Sequence, residues 1–205
     1  MNDGLIIRNK EEADIVDAAH LIASAFREKY MAFAAGNWEK AIKIAEAEMR
    51  FRGRMDNFFV AELEGKVVGA IEIISIEISG IPSGDMLAIY YKHLGLGKGT
   101  RAAYLLSLLT RAITEEEACV SCLAVAEETQ RKGVARALLA CGENFARDIG
   151  KKQLTLWVAE TNLPAIRLYT SEGFITGTLS SSPNLKKFVN LESWRQMTKD
   201  IAAPG

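Results

Sequence analysis

The sequence predicts a single mixed α/β domain, with a partly parallel central sheet flanked by helices and a helical insertion before one inner strand. Three observations predict it. The chain has 205 residues, and at about 150 residues per domain one large domain is the default. The C-terminal half alternates short strand-like runs with amphipathic helical patterns, which calls for crossover connections and some parallel pairing. Two earlier strand-like runs are joined by Glu64-Gly65-Lys66, a hairpin signal.

Composition narrows the class further. Apolar residues make up 49% and charged residues 25%, the balance of an ordinary globular chain and not that of a disordered one. Lys and Arg number 25 against 26 Asp and Glu, a net charge of -1, without the basic surplus that a nucleic-acid binder needs. No uncharged apolar run approaches the roughly 20 residues of a membrane span. The opening Met1-Asn2-Asp3 lacks the basic start of a secretory signal. Three cysteines, an odd number, fit a reducing cytoplasm better than a disulfide framework. The expectation is a cytoplasmic protein that engages neither nucleic acid nor membrane.

Taken in order, Leu5-Ile6-Ile7-Arg8 reads as a short strand. Ile15, Ala19, Ile22 and Phe26 recur at three- and four-residue spacing and predict a helix. Trp38, Ile42, Ala45 and Met49 repeat that period in a second helix, to about Arg52. Phe58–Leu63 and residues 67–78 are the hairpin strands. Residues 79–117 form the insertion: Gly80, Pro82 and Gly84 mark a turn, 86–93 a short helix, and Gly95, Gly97 and Gly99 an interruption. Residues 100–114 then resume as a helix apolar nearly all round, covered either within the domain or by a second copy in a symmetric homodimer. Strand 118–125 follows, then helix 133–149 with Val134, Leu138, Phe145 and Ile149 on one face and Gly150 at its stop. Strand 154–158, a helix over 164–172 between Asn162 and Gly173, and strands 174–179 and 194–198 complete the sheet.

The chemistry is concentrated where strand 118–125 turns into the next helix. Gln130-Arg131-Lys132-Gly133-Val134-Ala135 opens that helix, and the unpaired backbone N–H groups and positive dipole end of a helix start attract an anion. Gly133 and Ala135 carry little side chain, so backbone can approach a bulky diphosphate. Arg131 and Lys132 add positive charge. A plain turn with solvated charges fits this stretch equally well on its own.

Gln130-x-x-Gly133-x-Ala135 resembles the Q/R-x-x-G-x-G/A motif of the GNAT N-acetyltransferase superfamily. Asn162-x-x-Ala165-Ile166-x-Leu168-Tyr169, followed by Gly173-Phe174, resembles its N-x-x-A-x-x-x-Y…G-F motif. The likeness spans residues 118–174 and is weaker at both ends. It implies a GNAT-type fold over residues 1–205, with 118–174 as the acetyl-CoA-binding core and 79–117 as a departure from the simplest family pattern. By the same resemblance, Leu123, Ala124 and Val125 would pair with the pantetheine arm of coenzyme A as a further strand would. Backbone N–H groups from Gln130, Arg131, Lys132, Gly133, Val134 and Ala135 would hold the pyrophosphate. Asn162 would contact pantetheine, and Tyr169 would protonate the departing thiolate. A plain N-cap is the structural alternative for Asn162, and a core aromatic for Tyr169.

Other signals carry less. Cys119-x-x-Cys122 matches a zinc or redox spacing, but in a regular strand a separation of three puts the side chains on opposite faces, and no metal is expected. Gly95-x-Gly97-x-Gly99 follows a helix instead of a strand and reads as a bend. Glu115-Glu116-Glu117 reads as a solvated run. A general base is not evident. Histone-type members of the superfamily carry a strand glutamate where this chain has Cys119, and ribosomal-protein alanine acetyltransferases carry one where it has Trp157. Glu72, Glu77 and Glu117 remain candidates acting through water. Phe26, Tyr30, Phe33 and Trp38 offer aromatic walls for an acceptor, and fit an ordinary core as well. The resemblance therefore implies an N-acetyltransferase that moves an acetyl group from acetyl-CoA to a primary amine by direct attack. The alternative is an acyl-CoA-binding regulatory module without turnover.

Overall fold

The sheet begins with four successive antiparallel strands, β1 (Ile6–Asn9), β2 (Phe58–Leu63), β3 (Lys66–Ser75) and β4 (Glu117–Val125). β4 then pairs in parallel with β5 (Gln153–Ala159), which pairs antiparallel with β7 (Ser193–Asp200), itself beside the edge strand β6 (Ile175–Ser181). The resulting order is β1-β2-β3-β4-β5-β7-β6. The computed structural model describes residues 4–51, 56–76, 84–110 and 112–202. The turn expected at Gly80 and Pro82, the strand end expected at Ile78, the helix end expected at Arg52, and Glu77 lie outside them.

Both faces of the sheet are covered, because side chains alternate along each strand. Ala70, Cys122 and Ala124 face α1 (Ile15–Ala25), α2 (Arg27–Phe33), α3 (Trp38–Phe51), α4 (Gly84–Leu109) and α7 (Pro183–Val189). Ile71, Ile73, Ala118 and Val120 face α5 (Val134–Asp148) and α6 (Leu163–Ser171).

Several sequence expectations change. The first helix stops at Ala25, because Phe26 leaves helical geometry at φ -112°, ψ 39°, and α2 starts at once. Neither α2 nor α7 has the length for a clear periodic signal, and the sequence reading missed both. The insertion is one kinked helical unit: only Gly95 breaks it, at φ 74°, ψ 177°, while Gly97 and Gly99 stay helical. Glycine reaches that positive φ without the Cβ clash other residues would meet. The second arm ends at Leu109, not 114. It buries Ala102 and Leu105 in the same core cluster as α3, while Leu96 and Tyr104 remain exposed.

The insertion is tied to the N-terminal helices by a buried polar contact. Glu48 of α3 is 1% exposed, and its carboxyl group accepts hydrogen bonds from Tyr30 of α2, at 2.7 Å, and from Tyr90 of α4. A buried carboxyl group deprived of a donor is costly. Tyr90→Phe is therefore expected to lower unfolding stability by about 1–3 kcal/mol. Urea denaturation checks this: an unchanged midpoint and slope would mean that the contact does not anchor α4.

Candidate functional site

The sheet parts between its two parallel strands. Glu117–Val120 of β4 pair with Gln153–Leu156 of β5, and there the pairing stops. On the other side β3 places Glu72 opposite Cys122 but Ile73 opposite Val120, so Ser121 is an extra residue in β4. A bulge of this kind bends its strand and increases its twist. Beyond it β4 stays paired with β3 as far as Val125, and β5 stays paired with β7 as far as Ala159. Each strand follows its antiparallel partner, and the two facing edges separate. Leu123, Ala124, Val125, Trp157, Val158 and Ala159 line the resulting cleft of about 1650 Å³. That exceeds the roughly 300–1,000 Å³ of a single-ligand pocket.

One end of the cleft is built from backbone. After β4, Ala126 N–H donates to Val68 O at 2.9 Å, and the Thr129 hydroxyl donates to Ala126 O at 3.0 Å, tying the loop to the sheet. Gln130 and Lys132 donate their N–H groups to Glu127 O and Thr129 O within the turn. Arg131 (φ 62°) and Gly133 (φ 86°) are both left-handed, a geometry that glycine adopts without strain. The helical ladder starts with Ala137 N–H to Gly133 O at 3.0 Å, so the N–H groups of Val134, Ala135 and Arg136 precede it. No side chain caps α5 and its first turn holds no acidic residue, which leaves the positive end of the helix uncompensated. Of the sequence candidates here, Gln130, Arg131, Lys132 and Gly133 are exposed, Ala135 is half-buried and Val134 is buried. The turn already uses the N–H groups of Gln130 and Lys132, so the free donor set is narrower than the whole stretch.

The α6 side holds the other two candidates. Asn162 does cap α6, accepting from Ala165 N–H at 3.2 Å, and it also lines the cleft. Tyr169 is 9% exposed and packs on Phe174 with ring centroids 5.8 Å apart. Its hydroxyl makes no hydrogen bond with a described residue, and it lines the cleft. Burial, with a smaller contribution from nearby Cys122, pushes its phenol up to about 12. A buried hydroxyl without a described partner, on a residue that lines a cleft, is suited to a ligand.

Register also sorts the glutamates. Glu72 is 3% exposed, lines the cleft and sits opposite Phe58 and Cys122. Glu117 lies at the closed end of the β4–β5 pair, held by the Thr114 N–H and hydroxyl at 2.9 Å each. The bulge corrects another expectation. Cys119 pairs with Ile74 and Cys122 with Glu72, so both cysteines share one face. Among the described residues no group of three His, Cys, Asp or Glu could hold a metal. Cys119 is half-buried, and the loss of solvent pushes its thiol up to about 11, which leaves it un-ionised near neutral pH. Of the four aromatic walls, Phe26 and Tyr30 line the cleft, whereas Phe33 lies in the core and Trp38 packs under Arg27 at 4.3 Å. Sequence reasoning missed Asn57, 3% exposed and lining the cleft; a lone Asn before a strand carries no sequence signal. No described helix is long and apolar enough to cross a membrane.

A mixed sheet split at its parallel pair, with a bare helix start beside the split, defines a fold class, and comparison with known proteins identifies it. The profile of the acetyltransferase (GNAT) family matches residues 23–174. The chain belongs to the GNAT acetyltransferase family. Among solved structures, an N-acetyltransferase from Staphylococcus aureus Mu50 is similar at TM-score 0.71 and 16% identity, over 94% of this chain and 99% of that one. An acetyltransferase is similar at TM-score 0.69 and 20% identity, over 96% and 99%. The yncA protein from Salmonella typhimurium, solved with its cofactor acetyl-CoA, is similar at 0.65 and 18% identity, over 98% of each chain. At these identities the likeness is one of fold. No match was found among curated proteins.

Replacing Gly133 with Glu would put a side chain and a negative charge on the left-handed residue at the helix start. Calorimetry on the folded variant is expected to show coenzyme A affinity reduced at least about tenfold, or 1.4 kcal/mol. Unchanged affinity would remove the loop from the coenzyme site.

Proposed function

We propose that the protein transfers an acetyl group from acetyl-CoA to a primary amine. The observation that carries this reading is the cleft between β4 and β5, with bare helix-start N–H groups at one end and, on its lining, the Tyr169 hydroxyl, which has no hydrogen-bond partner among the described residues. These features fit coenzyme A. The separated edge of β4 can receive an extended amide chain as one more strand, and α5 can receive a diphosphate. When bound, acetyl-CoA supplies a thioester carbonyl and a sulfur leaving group.

The residues then divide the chemistry. The backbone N–H of Val125, on the separated part of β4, would polarise the thioester carbonyl. Asn162, which lines the cleft, would contact the pantetheine arm. Tyr169 delivers a proton to the departing sulfur. An ordinary thiol titrates near 8.5, whereas the buried Tyr169 phenol is raised to about 12. The phenol therefore keeps its proton across the neutral range, and any basic limb of activity well below pH 12 belongs to another group. Glu72, the buried carboxyl group on the acceptor side, takes the proton from the attacking amine, directly or through water. Holding both reactants in one cleft adds the advantage of proximity.

Tyr169→Phe keeps the ring packed on Phe174 and removes only the hydroxyl. Turnover is expected to fall about 10²–10⁴-fold, with acetyl-CoA affinity unchanged. A fall below about threefold, with chemistry rate-limiting, would assign the proton to another donor. Glu72→Gln is expected to reduce turnover by a similar order, with acetyl-CoA affinity unchanged. A fall below about threefold, with chemistry rate-limiting, would exclude Glu72 as the base. Amine-dependent release of free thiol from acetyl-CoA separates both outcomes from an acyl-CoA-binding module that does not turn over.

A further inference from the structure

From the walls of the acceptor end, we infer that the amine substrate is a small primary monoamine with an apolar body of aromatic size, not a protein side chain or a polyamine. This inference rests on the acetyl-transfer reading above and specifies the acceptor for that site.

The walls come from elements far apart in sequence. Ile22 and Phe26 enter from α1 and its end, Met86, Leu106 and Leu109 from the inserted α4, and Trp194 from β7. They line the same cleft as two buried polar side chains, Glu72 and Asn57. Glu72 is the one buried charged residue among the described residues that line the cleft. Asn57 donates its side-chain amide to Ile73 O at 2.7 Å, and its side-chain oxygen accepts no hydrogen bond from a described residue. A carboxyl group and a spare amide oxygen are acceptors only, which suits an ammonium or amine with N–H bonds to donate.

Of the rim charges, Arg27 stacks on Trp38, Glu28 accepts from Asn190 at 3.0 Å, and the half-buried Lys29 lies over the Phe26 and Tyr30 rings at 5.4 and 4.9 Å, where it adds repulsion to a second ammonium. With one carboxyl group inside, a second ammonium on the substrate would be buried without a counter-charge, which is strongly unfavourable. A peptide would also carry backbone amides along the aliphatic and aromatic wall, where they would lack hydrogen-bond partners. An apolar body meets neither penalty.

The inserted helix makes this restriction testable. Leu106 is a half-buried wall residue on α4, and Leu106→Trp would fill space that a large amine needs and a small one does not. The probes are 2-phenylethylamine, ethylamine, spermidine and a lysine-containing peptide, each with acetyl-CoA, with coenzyme A affinity measured in parallel by calorimetry. With the wild-type protein, kcat/KM for 2-phenylethylamine is expected to exceed that for each of the other three by at least about tenfold, the scale on which apolar pockets discriminate. In Leu106→Trp the KM for 2-phenylethylamine should rise at least about tenfold while that for ethylamine is spared. Leu109→Trp, from the same wall, provides the same size test should the first variant fail to fold.

Failure to bind coenzyme A would remove the acetyl-transfer reading itself. With coenzyme A bound normally, faster turnover of the peptide or spermidine overturns the monoamine assignment. So does turnover of none of the amines, or an equal loss for both amines in the tryptophan variants.

Discussion

The early end of the β4–β5 ladder is the constraint on which the site depends. A parallel pair continued to both strand ends would close the sheet and bury its backbone groups in regular pairing. Here Ser121 is inserted just where β5 pairing ends, and β3 and β7 hold the two strands along their remaining length. The cleft is therefore walled by ordered strands. Such walls place a bound chain more accurately than loops could, because each separated edge is fixed from its far side by an antiparallel neighbour.

Charge is distributed along this cleft according to how wet each end is. At the α5 end, Arg131, Lys132 and Arg136 are exposed, and Arg136 is also paired with Glu172 at 2.8 Å. Cations there can meet phosphates while both remain partly hydrated. At the opposite end Glu72 and Asn57 are buried among apolar side chains, where one correctly placed carboxyl group counts for more and a misplaced charge is more costly. The Tyr30–Glu48–Tyr90 contact connects the two helices and the insertion that build this drier end. The same insertion thus lends Met86, Leu106 and Leu109 to the lining of the cleft.

Much of the α5 and α6 side of the cleft, the proposed coenzyme site, was legible in the sequence because its requirements are local. A left-handed residue before a helix calls for Gly133, a helix start calls for a capping residue such as Asn162, and a strand of alternating burial leads into both. These depend on backbone sterics and on spacings of a few residues. The other side of the cleft, proposed to take the acceptor, was much less legible. Phe26, Tyr30, Phe33 and Trp38 had equal standing as walls, yet only Phe26 and Tyr30 line the cleft. Glu72, Glu77 and Glu117 were indistinguishable until cross-strand pairing set Glu72 in the cleft and Glu117 at the closed end. Asn57 was invisible.

By itself, the sequence determined the mixed α/β class, the hairpin, the order of strands and helices from β4 to β6, and the bare-backbone turn at Gly133. Each follows from periodicity or from the conformational limits of single residues. Tertiary structure decided where β4 bulges, where its pairing with β5 ends, and which face each later side chain occupies. One extra residue at Ser121 brings Cys119 and Cys122 to the same face, against the expectation for a regular strand, and accompanies the opening of the cleft. It also decided that the apolar helix of the insertion covers Ala102 and Leu105 against the N-terminal helices and lends other side chains to the cleft. Such outcomes are set by hydrogen bonds and packing between segments tens of residues apart, and no local pattern encodes the register in which they meet.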